Sequence, residues 1–305
     1  MKTAVVIVTY NPLKWIEKCL DSLIQSTIPV EILIVDNNST DGFQEILKSK
    51  YQQITLLQSS SNLGFGAANN LGIRKAYDNN ADFVFLLNQD AWVEFDTIEK
   101  LISAQKNEPE YGIVSPIHLN GKGDRLDYNF SNYIIPSQCK GLYSDIYLNK
   151  IKPSVYQVNF VNAAGWLLSR KCIETVGGFN PSFFHYSEDD NYVQRVHFHK
   201  LKIGILATVK LFHDREDRSE NIYYADSQQV YKRRIILKAS DPYEHFSFQS
   251  ENKKLLGFAL KAILSFRFKL FSKIILQMKT LNNLDKKNVI SRRNESKTSN
   301  PTFLN

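Results

Sequence analysis

Three groups of acids stand out in this chain by what precedes them. Asp36 follows the apolar run ILIV and opens DNNSTDG. Asp90 closes FVFLLNQD, where an apolar run ends on Asn88, Gln89 and a carboxylate. Glu188, Asp189 and Asp190 sit together in SEDDNYVQR, directly after the aromatic stretch FFHY. An acid at the tip of a buried strand is either solvated and idle or is there to hold something. Oxygen ligands suit a hard divalent cation, which neutralises a departing anion. A carboxylate beside an apolar wall holds its proton more tightly and becomes a more capable base. His213, at the end of ATVKLFH, is the histidine best placed as a ligand. His197 and His199 lie two apart on a helical pattern and point to different faces, so they cannot chelate jointly.

Each group also has a structural reading. Asp36 suits an Asx-turn or helix cap. The acids after Ser187 suit the first turn of a helix, where they complement its dipole. NLGFGAANNLG has glycines at 64, 66 and 72, which is neither a phosphate-binding Walker loop nor GxGxxG. It reads as small residues packing a helix start onto a sheet, or as a helix N-terminus facing a diphosphate.

The surrounding pattern says what positions these groups. Short apolar runs over 4–8, 31–35, 54–57, 83–87 and 112–115 read as strands. Helical spacing covers 13–24, 97–106, and a segment from NLGFGAANNLG to about residue 77. Alternating strands and helices predict an α/β fold with a doubly wound, mainly parallel sheet. In such sheets ligands bind at the carboxyl ends of the strands. Thr9, Asn11, Asp36, Asn38, Asn88 and Asp90 all fall there.

Residues 117–158 break the rhythm and read as an insertion with short strands. LLGFALKAILSFRFKLFSKIILQMK reads as one basic amphipathic helix. On its wheel Lys254, Lys261, Lys269, Lys273 and Lys279 oppose Leu256, Leu260, Ile263, Phe266, Leu270 and Ile274. Interfacial binding to an anionic membrane through 253–279 is favoured over simple core packing. The expected organisation is a domain over 1–240, in two halves, 1–115 and 116–240. The basic helical extension follows over 241–281, then a disordered tail over 282–305.

Composition narrows the partners. The 305 residues are 43% hydrophobic and 23% charged, as in an ordinary globular protein, with a formal charge of +7. That charge favours anionic partners, but no stacking-and-basic motif points to nucleic acid. Three widely spaced cysteines suit a reducing cytosol. The start, MKTAVVIVTYN, lacks the long apolar region of a signal peptide, and no uninterrupted apolar run reaches spanning length.

VVIVTYN, VDNNSTDG, NLGFGAANNLG, LLNQDA and GGFNPSFFHYSEDDNYVQR, in this order, resemble the family 2 glycosyltransferases of the GT-A fold, especially the rhamnosyltransferase-like branch. The resemblance covers roughly residues 3 to 215. It implies that Asp36 contacts the nucleotide, with Thr9, Asn11, Asn38, Asn62 and Gly64 completing the pocket. It implies Asp90 and His213 as ligands of Mg2+ or Mn2+, Asp189 as general base and Glu188 as a positioning acid. Two positions depart from the family pattern. Asn88 replaces the first acid of the D-x-D motif. Asn191 replaces a common third acid, while Asp190 stands at a usually apolar position.

The implied reaction is inverting transfer from a dTDP- or UDP-sugar to a glycan or lipid-linked acceptor, in cell-surface polysaccharide biosynthesis. The implied location is cytoplasmic, with peripheral contact at the inner membrane. A nucleotidyltransferase would share the sheet but need a glycine-rich basic loop, which TYNPLKW lacks. A non-catalytic nucleotide-sugar-binding protein is the third reading, and the retained acids disfavour it.

Overall fold

The computed structural model describes residues 1–215 and 226–304. Residues 216–225, inside the half expected at 116–240, and Asn305, the last of the expected tail, lie outside the described residues.

The apolar runs form strands covered on both faces, which is why they do not alternate with polar residues. Val5, Ile7, Ile34 and Phe85 pack into one core layer, and Ala4, Val6, Leu33 and Val84 into the other. The chain order is β1 (Thr3–Thr9), α1 (Ile16–Ile24), β2 (Glu31–Asp36), α2 (Phe43–Lys50), β3 (Thr55–Gln58) and α3 (Phe65–Asp78). Then come β4 (Phe83–Asn88), β5 (Ala91–Val93), α4 (Thr97–Asn107), β6 (Tyr111–Asn120), α5 (Tyr128–Ser131) and α6 (Leu142–Tyr147). β7 (Val155–Gln157), β8 (Gly165–Ser169), α7 (Arg170–Val176), α8 (Glu188–Phe198) and β9 (Lys202–His213) complete the α/β part.

The strands form one sheet in the order β3-β2-β1-β4-β8-β6-β9-β5, with β7 also on β9. β3, β2, β1 and β4 are parallel, as expected, and so are β6 and β9. β8 enters antiparallel between β4 and β6, while β5 and β7 run antiparallel to β9. α3 lies close on β1 because Gly72 has no side chain; a Cβ there would stand 2.3 Å from Val6 Cγ1.

The 117–158 stretch is more helical than expected. β6 runs on to Asn120, the next two elements are the short α5 and α6, and β7 is the strand that follows. Phe130, Ile134, Cys139 and Leu142 are buried there, so sparse apolar anchors fold a polar segment.

The helix expected across 255–279 is two helices. After α9 (Ser227–Ser240), α10 (Phe248–Leu264) and α11 (Phe268–Asn282) pack against each other. Phe266 N–H donates to Ile263 O (2.9 Å) and Arg267 N–H to Ala262 O (2.8 Å). These two bonds close a helix in the Schellman pattern, with Phe266 at φ +53° where glycine is usual. The single-helix wheel is therefore lost, and Ile274 is buried while Phe266 is 80% exposed.

The tail expected to be disordered is ordered as far as Leu304. It forms α12 (Lys286–Glu295) and then a strap on the α/β domain. Gly178 N–H donates to Thr302 O (2.8 Å), Arg74 Nη1 to Leu304 O (2.7 Å), and Leu304 is buried in the main core. The polar composition suggested disorder, but its backbone carbonyls find donors on the domain.

Candidate functional site

Strand register assembles the rim. Thr9 pairs with Asp36, Val8 with Asn88 and Asp36 with Gln58, so the ends of β1, β2, β3 and β4 lie side by side. Ala91 and Asn120 both pair with His213, which brings the end of β9 to the turn holding Asp90. The Gln89 side chain ties this turn to the β1–α1 loop, accepting from Tyr10 N–H at 2.7 Å and donating to Tyr10 O at 3.2 Å.

Asp36 is fully buried. Its carboxylate accepts from Thr9 Oγ1 (3.1 Å), Ser39 N (3.2 Å), Ser39 Oγ (2.5 Å), Gln44 Nε2 (3.0 Å) and Gln58 Nε2. It therefore organises the 37–41 loop, and a direct ligand contact needs one of these donors to leave. Gln58 is exposed and the most easily displaced. Asn11 and Asn38, both exposed, adopt left-handed backbone conformations at φ +50° and +65°, which Asn tolerates better than most residues. The buried Asn37 joins this loop to the next by accepting from Leu63 N–H (3.1 Å) and donating to Gly64 O (3.3 Å).

The start of α3 is less open than a diphosphate site requires. Gly64 N–H donates to Asn62 Oδ1 (2.9 Å) and Phe65 N–H to Phe184 O (3.2 Å). Gly64 has φ +83°, and a Cβ there would lie 2.0 Å from Phe184 O. The reading of NLGFGAANNLG as a packing segment is the one these two amides fit.

Asp90 and His213 meet in the interior, Nε2 to Oδ1 at 3.4 Å, with exposures of 0% and 1%. Asn88 Nδ2 lies 3.4 Å from the same imidazole nitrogen. On the other side His213 Nδ1 is 3.6 Å from Asp127 Oδ2, and Asp127 is ion-paired with Arg215 at 2.5 Å. Burial, then the Arg215 charge, pushes the His213 pKa down to about 4, so the ring is neutral at physiological pH. A neutral imidazole is the form in which histidine ligates a metal, and here Nε2 is the ring nitrogen that faces Asp90. Among the described residues no three His, Cys, Asp or Glu side chains converge on one point, so two protein donors are what this pair offers.

The acidic helix is delivered by a strained turn. Tyr186 and Ser187 are both left-handed, at φ +67° and +69°, immediately before Glu188. Ser187 makes no side-chain bond to the helix backbone; its hydroxyl offsets part of the rise that burial gives the Asp190 pKa. Glu188 is buried, and its Oε2 has no hydrogen-bond partner among the described residues. Burial, then the neighbouring Asp190 charge, pushes the Asp189 pKa up to about 7. Glu188 is raised as well, by burial and then by Asp189. The Ala163 backbone N–H faces the Asp189 carboxylate and favours its charged form, against burial. Ala164 O in turn accepts from Asn88 N–H at 3.0 Å. Two adjacent residues thus link the acidic helix to the strand end beside Asp90.

Comparison with known proteins settles the family. Residues 4–177 match the profile of Glycosyl transferase family 2, more than half of the chain. The chain belongs to glycosyl transferase family 2. It is 28% identical over 208 residues to the N-acetylglucosaminyl-diphospho-decaprenol L-rhamnosyltransferase of Mycobacterium tuberculosis, covering 61% of this chain and 67% of that protein. It is 24% identical over 220 residues to a dTDP-rhamnosyl transferase of Shigella flexneri, covering 71% and 70%. Among solved structures, S. aureus TarS 1-349 in complex with UDP superposes with TM-score 0.56 at 15% identity, over 97% of this chain and 90% of that one. GalNAc-T7 with UDP, GalNAc and Mn2+ gives 0.57 at 14% identity, over 79% and 51%. These likenesses show the GT-A fold, and the rhamnosyltransferase-like resemblance of the sequence is borne out.

In this glycosyltransferase, Asp90 and His213 lie together as the sequence suggested, and Glu188 and Asp189 share one helix start. Asp127, Arg215, Asn37 and the Ala163–Ala164 link escaped the sequence reading. Asp127 sits in the unpatterned insertion, where nothing in spacing marks it. Arg215, two residues past His213, carried a positional signal. The three cysteines, Cys19, Cys139 and Cys172, are free and buried.

Proposed function

We propose that this family 2 glycosyltransferase moves a sugar, with inversion, from a dTDP- or UDP-sugar to a hydroxyl of a glycan or lipid-linked saccharide in cell-surface polysaccharide assembly. The observation that carries the reading is the Ala163–Ala164 segment: Ala164 O accepts from Asn88 N–H, two residues before Asp90, and the adjacent Ala163 backbone faces Asp189. Leaving-group stabilisation and proton removal need different groups held in fixed relation.

Asn11, Asn38 and Asn62 offer exposed amides to the nucleotide, over a floor made by Thr9, Asp36 and Gly64. A donor N–H or hydroxyl group takes the place of Gln58 on Asp36. Asp90 and His213 are the residues that would hold Mg2+ or Mn2+, the diphosphate supplying further oxygens. The cation, when bound, neutralises charge developing on the leaving diphosphate. Asp189, its proton affinity raised, takes the acceptor hydroxyl proton. The hydroxyl oxygen bonds to the anomeric carbon as the bond to the diphosphate breaks on the opposite face. Glu188 positions the acceptor, and its unpartnered Oε2 suits a donor from that molecule.

The names of the relatives agree: one acts on a decaprenol-linked saccharide and another is a dTDP-rhamnosyl transferase. Cytoplasmic action at the inner membrane, with contact through 253–279, belongs to the same reading. No described helix is long and apolar enough to cross a membrane.

A panel of nucleotide-sugars tests this by thermal stabilisation and hydrolysis, with and without Mg2+ or Mn2+. At least one dTDP- or UDP-sugar should stabilise the protein and be hydrolysed in a cation-dependent way. Preference for nucleoside triphosphates would overturn the reading in favour of a nucleotidyltransferase.

A further inference from the structure

The surface around the α10–α11 junction combines two properties that rarely coexist on a solvated hairpin. Leu256, Leu260 and Leu264 follow one another at helical spacing along α10, with exposures of 46%, 62% and 80%. Phe266 and Phe268 at the turn are 80% and 63% exposed, their rings 6.4 Å apart edge to face, and Leu276 continues the apolar surface on α11. The opposite side of the hairpin is already used: Leu255, Ala259, Ala262 and Ile274 pack with Ile235, Ile236 and Val289 of the helical core. The exposed residues are thus a second apolar face, not a misplaced first one.

Charge says what covers it. From Asn252 to Leu284 there are seven basic residues (Lys253, Lys254, Lys261, Arg267, Lys269, Lys273 and Lys279) and no acid. Taking these seven from the chain's 38 leaves 31 basic residues against 31 acidic, so the remainder is formally neutral. The entire net charge of +7 belongs to the hairpin. A face with apolar residues at its apex and cations around it fits a bilayer surface bearing anionic headgroups. A second copy of the same chain would bring like charges together.

We propose that the hairpin is a membrane-docking element whose apex, Leu264 to Phe268, enters the acyl boundary while the surrounding lysines and Arg267 meet anionic headgroups. This deepens the proposed function, since it rests on an acceptor presented at a membrane. It also replaces a helix lying flat by an apex that inserts. The left-handed Phe266 has a use here: the tight closure of α10 sends its ring outward at the tip. The layer beneath the hairpin includes Phe183, and Arg292 Nη1 donates to Ser182 Oγ at 3.2 Å. The docking element is therefore built onto the segment that leads into the acidic helix.

The three native cysteines are buried, so Phe266→Cys in the full chain can be labelled selectively with an environment-sensitive dye. Sedimentation with phosphatidylcholine vesicles, with and without about one-third phosphatidylglycerol, reads binding, and brominated acyl chains read depth. The expected result is binding that needs the anionic lipid, falls at least about tenfold between low and high salt, and quenches the label at Phe266→Cys more than one at Lys253→Cys. Leu264→Ser/Phe266→Ser/Phe268→Ser, which keeps every charge, should bind at least about tenfold more weakly with an unchanged thermal melt.

Equal quenching at both labels would overturn apex insertion in favour of a flat helix. Absence of vesicle binding, or a doubled mass by light scattering that the triple variant abolishes, would overturn the proposal in favour of another partner or a second copy. Donor stabilisation of the wild type, measured in parallel, separates this outcome from failure of the glycosyltransfer reading.

Discussion

Replacing Asp189 by Asn should lower transfer and raise stability together, and both effects follow from where the carboxyl sits. Loss of a general base typically costs about 10²–10⁴-fold in rate, about 3–5 kcal/mol of barrier. Donor affinity should stay near that of the wild type, because the role proposed for Asp189 is to take the acceptor's proton and not to hold the donor. The stability effect has the opposite sign. Burial and Asp190 raise the Asp189 pKa from 3.8 to about 7 in the folded protein. The folded state therefore binds this proton more tightly than the unfolded state. Stability is full below the unfolded carboxyl value and falls as pH rises to about 7. A shift of roughly three units caps the penalty at ~4 kcal/mol, and partial solvent access reduces it to ~2 kcal/mol. Asp189→Asn should thus be ~2 kcal/mol more stable than wild type at about pH 8 and equal to it near pH 4. Urea denaturation at the two pH values reads this, beside sugar transfer at the higher one. Wild-type transfer by Asp189→Asn, or no stability difference between the two pH values, refutes the reasoning. If Asp190→Asn is the inactive variant instead, the base is the neighbouring residue.

Removing divalent cations with EDTA should abolish turnover, and Asp90→Asn, which keeps the volume, should do the same at any cation concentration; full turnover in EDTA would sink the metal role. Gly64→Ala should destabilise by at least ~1–3 kcal/mol in urea melts, because it combines a left-handed backbone with a Cβ 2.0 Å from Phe184 O; an unchanged midpoint would show that the 184 segment moves freely. Truncation after Asn300 removes the strap and should cost ~2–4 kcal/mol in the same melts, because it empties the buried Leu304 site. Retained wild-type stability would mean that the strap contributes nothing.

The strands and their polar ends were legible in the sequence because burial on both faces leaves unbroken apolar runs, and a polar group directly after such a run must sit at a sheet edge. Asp36, Asp90 and His213 were found this way. The same pattern does not report where a carboxylate's lone pairs go, so the closure of Asp36 by Thr9, Ser39, Gln44 and Gln58 needed the assembled loops. Asp127 reaches His213 from a segment without periodicity, and only the packing of Phe130 and its neighbours brings it there. At the C-terminus local signals misled. Phe266 breaks a helix from a position where glycine is the usual signal. The 300–304 strap is ordered by donors from Asn70, Arg74 and Gly178, more than a hundred residues away. Apolar periodicity is a local property of the chain and fixes elements and their ends. Hydrogen-bond partners distant in sequence are chosen only when those elements pack.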